Sequence, residues 1–221
     1  MNTDLSLHYI SRPANRKNAP LLILVHGYGS NEQDLFSFAP QMDAGIHIVS
    51  VRAPYELPPY GAAWYAIDYT ADKGKFSDLN QARQSIQLLK KFVGEVKDRY
   101  DVDANSINML GFSQGAILSM AMALSEPSIF KNVVAMSGYL NEDLVVDMDR
   151  LESRFRESEL TTNFFISHGT MDQVIPFSWA MQAQPVMERL DVDYVFKQYP
   201  MGHGVSPENF HDMKRWLESR L

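Results

Sequence analysis

The sequence predicts an α/β fold: a mostly parallel central sheet with helices on both faces and no separate cap domain. Three observations predict it. Short, near-continuous apolar runs recur along the 221 residues. Longer segments with apolar residues at three- and four-residue steps separate them. One junction between the two patterns carries Gly111-Phe112-Ser113-Gln114-Gly115, a serine between glycines. Strands buried on both faces read as continuous apolar runs, and the helices between them supply the crossovers.

The elements follow in order. Leu5 to Ile10 is an early edge strand. Pro20 to Val25 and Ile46 to Val51 are buried strands by composition. Leu79 to Tyr100 carries Ile86, Leu89, Val93 and Val96 on one helical face. Ser106 to Leu110 is a strand, and Ala116 to Leu124 the helix after the serine. That helix stops at Glu126-Pro127, because the residue before proline avoids the α region. Asn132 to Ser137, Asn163 to Ser167 and Asp193 to Tyr199 are further strands. Phe177 to Leu190 is helical, with a kink or break expected at Pro185. Pro207 to Leu221 closes the chain as a helix, proline being suited to a first turn. Two stretches depart from the alternation: Pro54 to Asp78, rich in aromatics and proline, and Asn141 to Thr162, strongly charged with room for a short helix. No repeat, low-complexity tract or linker is visible, so residues 1–221 are expected to form one domain.

Composition narrows the function classes. A hydrophobic content of 45% with 21% charged residues is that of an ordinary globular chain. The net charge of -7 argues against nucleic acid as a partner, since phosphate binding needs clustered Lys and Arg. There is no cysteine, which removes thiolate catalysis and Cys-ligated metal sites. The first residues lack the basic and apolar regions of a secretory signal. No apolar run approaches the roughly 20 residues that span a bilayer. A cytoplasmic protein without integral membrane association is expected, and a two-fold homodimer is the commonest assembly for such a chain.

Gly-x-Ser-x-Gly at a strand-to-helix turn is the pattern of a nucleophile elbow. The bland reading is a tight turn with a serine capping the next helix. A nucleophilic serine needs a base, and the base an orienting carboxylate. In a parallel sheet such groups gather at the carboxyl ends of strands. One such end continues into His168-Gly169-Thr170-Met171-Asp172, another into Pro200-Met201-Gly202-His203-Gly204. Ser113, Asp172 and His203 therefore share an edge and occur in the chain order of this elbow type. His26 precedes the serine. His8, His47 and His211 lie away from strand ends. His168, only four residues before Asp172, suits a turn better than a base. His203 lies between glycines, which permit close backbone approach. Glu142, Asp143, Asp147 and Asp149 fall in the charged stretch and read as solvated. The oxyanion donors would be the backbone N–H groups of Gln114 and of Tyr28, in His26-Gly27-Tyr28-Gly29 after the second apolar run.

Together these motifs resemble the phospholipase/carboxylesterase family of α/β-hydrolases, the group that includes acyl-protein thioesterases. The resemblance spans about Pro20 to Leu221. Its specific parts are Gly111 to Ala116 and His168 to Pro176, and the Trp64-Tyr65 pair resembles the family's Trp-aromatic pair near the site. It implies Ser113, His203 and Asp172 as a catalytic triad, Tyr28 and Gln114 as the oxyanion hole, Trp64 and Tyr65 at the substrate, a small-molecule ester or thioester as substrate, and no metal or organic cofactor. Tyr28 stands where thioesterase members commonly have leucine, and 55–76 does not match their acyl-binding loop, so a smaller ester is implied at least as much as an acylated protein. The stretch from Pro54 to Asp78, with Tyr55, Tyr60, Trp64, Tyr65, Tyr69 and Phe76, is expected to wall an apolar pocket. A non-catalytic binding module on the same fold is the rival reading.

Overall fold

The computed structural model describes residues 5–68, 76–157 and 162–221. Its strands are β1 (Tyr9–Arg12), β2 (Ala19–Val25), β3 (His47–Val51), β4 (Tyr55–Leu57), β5 (Gly61–Ala63), β6 (Ile67–Asp68), β7 (Phe76–Ser77), β8 (Val102–Phe112), β9 (Asn132–Met136), β10 (Asn163–Gly169) and β11 (Tyr194–Tyr199). Its helices are α1 (Gln33–Phe36), α2 (Leu79–Arg99), α3 (Gln114–Ser125), α4 (Met148–Glu157), α5 (Phe177–Met181), α6 (Ala183–Arg189) and α7 (Pro207–Glu218). Tyr69 and the side chains of Phe76 and Asp149 lie outside the described residues.

Seven strands form the main sheet in the order β1-β3-β2-β8-β9-β10-β11. All neighbours run parallel except β1, which pairs antiparallel with β3 at the edge. The early edge strand is thus present but begins at Tyr9 rather than Leu5, with Tyr9 opposite Val51. Alternate side chains divide between two cores. Leu21, Ile23, Val49, Met109, Val133 and Phe164 face α2 and α3. Leu22, Leu24, Ile48, Leu110, Val134 and Phe165 face α7 and the segment around Leu35. Burial of each large apolar side chain contributes about 1.5–3 kcal/mol. An asparagine ladder joins β8, β9 and β10: Asn132 donates to Asn108 Oδ1 (2.7 Å) and Asn163 to Asn132 Oδ1 (3.0 Å).

Local sequence explains the helices. Asp78 caps α2, its carboxylate accepting from the N–H groups of Asn80 and Gln81 at 3.0 Å. Ala82, Ile86, Leu89, Phe92, Val93 and Val96 make the buried face. Every residue of α3 is buried. Its Ser119 and Ser125 hydroxyls are satisfied by the carbonyls four residues back, at 2.7 Å. The expected break near Pro185 falls at Gln182 instead. A proline ring clashes with the carbonyl four residues earlier, here Met181, and α5 ends there. Pro185 then occupies the first turn of α6, where its missing N–H is harmless. Ser206 caps α7 by accepting from Asn209 N–H at 3.2 Å, with Pro207 in the first turn. The charged stretch holds α4. Among the described residues, no helix is long and apolar enough to cross a membrane.

Candidate active site

The carboxyl ends of the strands are level where the motifs sit. Gly111 of β8 pairs with Val25 of β2 and Ala135 of β9, and Met136 of β9 pairs with Ser167 of β10. Ser113 follows β8 directly and precedes α3. Its backbone has φ 52° and ψ -116°, a strained region for a residue with a side chain. The flanking glycines permit this. A Cβ on Gly111 would stand 2.4 Å from Gly115 O, and one on Gly115 would stand 2.0 Å from Val25 O. The turn is held by Ser113 N–H donating to Met136 O at 2.9 Å.

Three separated residues meet at this edge. Ser113 Oγ lies 2.9 Å from His203 Nε2, and His203 Nδ1 lies 2.7 Å from Asp172 Oδ2. The Asp172 side chain is fully buried, whereas His203 keeps some contact with solvent. Burial alone would raise the Asp172 carboxyl, but the hydrogen bonds from His203 and from Ile175 and Val174 N–H outweigh it and hold it below its ordinary value. Asp172 Oδ1 accepts from Val174 N–H at 2.8 Å and from Ile175 N–H at 2.9 Å. The Phe112 ring packs on the His203 imidazole, centroids 5.1 Å apart.

His168 does not reach Ser113. It is buried, with Nε2 2.9 Å from Ile175 O and 3.2 Å from Asp172 Oδ2. Both neighbours are acceptors, so this nitrogen carries the hydrogen. The glycines beside His203 serve no close approach: a Cβ on Gly204 would meet nothing within 4 Å, and one on Gly202 only Met171 O at 3.9 Å. The loop is tied instead by side chains. Ser137, itself at φ 52°, donates its hydroxyl to Gly204 O at 3.1 Å, and Met201 sulfur accepts from Ser206 N–H at 3.2 Å.

Gln114 begins α3, where first-turn N–H groups lack intrahelical acceptors and the helix presents its positive end. Its side chain clamps a neighbouring segment, accepting from Trp64 N–H and donating to Tyr65 O, both at 2.8 Å. Tyr28 lies after β2. Its loop is pinned by Gly29 N–H to Ala62 O (2.9 Å) and Ala62 N–H to Ser30 O (2.7 Å). His26 braces the same loop from inside. Nδ1–H donates to Gly27 O at 2.7 Å and Nε2 accepts from Ala53 N–H at 3.1 Å, while burial keeps the imidazole below its ordinary pKa.

A cavity of about 240 Å³ opens beside Ser113 and His203. Tyr65, Ile67 and Ser77 supply one wall, which comes from the aromatic stretch. Trp64 does not line it. It is fully buried behind the wall, its indole N–H donating to His26 O at 2.8 Å. Tyr60 points to solvent at 79% exposure, and the Tyr55 hydroxyl bonds Gln84. The remaining wall, Ile117, Tyr139, Val174 and Trp179, escaped the sequence reading. The strand-end argument that found Asp172 also covers Tyr139, after β9, and Val174 and Trp179, after β10. Only their apolar character kept them from notice.

A family model described as phospholipase/carboxylesterase matches residues 8–221. Acyl-protein thioesterase 1 of Debaryomyces hansenii is 26% identical over 222 residues, 90% of each chain. Esterase YpfH of Escherichia coli is 26% identical over 187 residues, covering 81% of this chain and 73% of its own. The crystal structure of esterase PE8 superposes with a TM-score of 0.81 at 23% identity, over 97% of this chain and 99% of that one. The chain belongs to the phospholipase/carboxylesterase family and is a hydrolase of the α/β-hydrolase fold.

Proposed function

We propose that this protein hydrolyses carboxylic esters or thioesters through Ser113, His203 and Asp172. The observation that carries the reading is the unbroken hydrogen-bonded line from Ser113 Oγ to the buried Asp172 carboxylate, at the mouth of an apolar cavity. Ser113 Oγ attacks the carbonyl while His203 Nε2 takes its proton. Asp172 fixes the tautomer and stabilises the imidazolium. The oxyanion rests on the N–H groups of Tyr28 and Gln114, each such donor lowering the barrier by about 3 kcal/mol. His203 returns the proton to the leaving alcohol or thiol, and water repeats the sequence on the acyl-enzyme. In this reading Tyr65 lines the substrate cavity, and Trp64 supports it by holding the Gln114 clamp and the loop of Tyr28.

Hydrolysis of p-nitrophenyl esters by the protein and by Ser113→Ala tests the reading. Loss of the nucleophile should lower kcat by about 10⁴-fold or more. Turnover of the unaltered protein no greater than that of the variant would favour a binding module instead.

A further inference from the structure

A pair of aromatic rings bounds the catalytic cavity on one side, and a second, shallow cavity open to solvent adjoins their other side. The second, about 390 Å³, is lined by Leu140, Asn141, Glu142, Asp143 and Gln182. Tyr139 and Trp179 line both cavities. Their rings meet edge to face, centroids 5.3 Å apart and planes at 71°. We propose that this pair is a partition that ends the apolar chain of the substrate, with Trp179 setting the length limit. The inference rests on the hydrolase reading above and deepens it.

The two members differ in how they are held. Tyr139 follows the strained Ser137 at the end of β9, and its hydroxyl is engaged by Ser77 and Asn141. Trp179 belongs to the short helix α5 and is 38% exposed. Tyr139 is the fixed post and Trp179 the removable leaf.

The walls also differ in character. On the catalytic side, Tyr65, Ile67, Ile117 and Val174 offer apolar surface, so each methylene placed there should improve binding roughly fourfold. On the far side, an alkyl chain would displace water from Asn141, Glu142, Asp143 and Gln182 and return no hydrogen bond. The gain per methylene therefore stops at the rings. The substrate class this selects is an ester with a short or medium, uncharged apolar chain. A terminal carboxylate is disfavoured by Glu142 and Asp143 beyond the partition.

The test compares the intact protein with Trp179→Ala and Trp179→Phe. Two ester series are used, p-nitrophenyl alkanoates from acetate to dodecanoate and alkyl acetates of matching length. Active protein is counted by fluorophosphonate titration, so partial unfolding cannot alter a ratio of substrates. In the intact protein kcat/KM should rise with length and then level. In Trp179→Ala the space vacated by the indole should take about two further methylenes before the polar groups are reached, so the levelling should move to longer chains and the ratio of dodecanoate to butyrate should rise about tenfold. Trp179→Phe should stay near the original profile. The series that shows the shift identifies which half of the ester fills the cavity. Calorimetric binding of linear carboxylates of the same lengths gives a readout that needs no turnover, so failure of the hydrolase reading leaves the partition still decidable. An unchanged length profile in Trp179→Ala, by turnover or by binding, overturns the proposal.

Discussion

Three donors hold the Asp172 carboxylate, Val174 and Ile175 N–H on Oδ1 and His203 Nδ1 on Oδ2, while His168 Nε2 bonds the Ile175 carbonyl of the same turn and stands 3.2 Å from Oδ2. A buried carboxylate held on both oxygens has one orientation, and His203 inherits it. His168 is thus a positioning residue, and its part differs from bulk packing. Leaving the buried Ile175 carbonyl without its donor costs about 1–3 kcal/mol and loosens the turn that holds Asp172, so under the proposed mechanism His168→Phe should lower kcat roughly tenfold with KM little changed. His168→Gln, which restores an N–H at about the same reach, should recover most of the loss. Equal losses in both variants, measured by steady-state kinetics, would show that His168 only fills space. Asp172 also carries a stability signature. Its folded pKa lies below the unfolded value of about 3.9, so its contribution is complete above that pH and lost as pH falls through the folded value. Denaturation curves across about pH 2 to 6 should therefore decline less steeply in Asp172→Asn than in the unaltered protein.

At the scale of elements, the elbow is a junction in which β8, α3 and β2 approach so closely that side chains are excluded. Gly115→Ala should destabilise by about 3 kcal/mol or more, because its Cβ would overlap the Val25 carbonyl. Gly204→Ala meets open space and should stay within about 0.5 kcal/mol. Thermal unfolding of the two variants checks the contrast, and comparable losses would contradict the steric account. The same contrast explains what could be read from sequence. The elbow was legible because steric exclusion forces glycine, a residue that stands out in a string of letters. The strand ends were legible because parallel strands are apolar throughout. The Gln114 clamp was not, since its partners are the backbone of Trp64 and Tyr65, fifty residues earlier, and backbone groups leave no mark on sequence. The β4–β5 hairpin that pins the Tyr28 loop was equally silent, being three residues a side. For Trp64 the letter suggested a substrate wall, whereas the fold uses the ring as a buried brace.

Over the whole molecule, the sheet separates the tasks of its two edges. The amino ends of β9 and β10 carry Asn132 and Asn163, which with Asn108 of β8 form a hydrogen-bonded ladder across three neighbouring strands. The carboxyl ends carry Ser113, Asp172, His203 and the loop of Tyr28, held level by the pairing of β2, β8, β9 and β10. Six parallel strands bring together residues 59 and 90 positions from the serine without any direct local signal between them. That convergence is what the proposed chemistry requires, and covalent labelling tests it most directly. After reaction with a fluorophosphonate, intact mass and peptide mapping should show one adduct, on Ser113, absent in Ser113→Ala and formed at least about a thousandfold more slowly in His203→Ala. An adduct on another residue, or undiminished labelling of Ser113 without His203, would contradict the account.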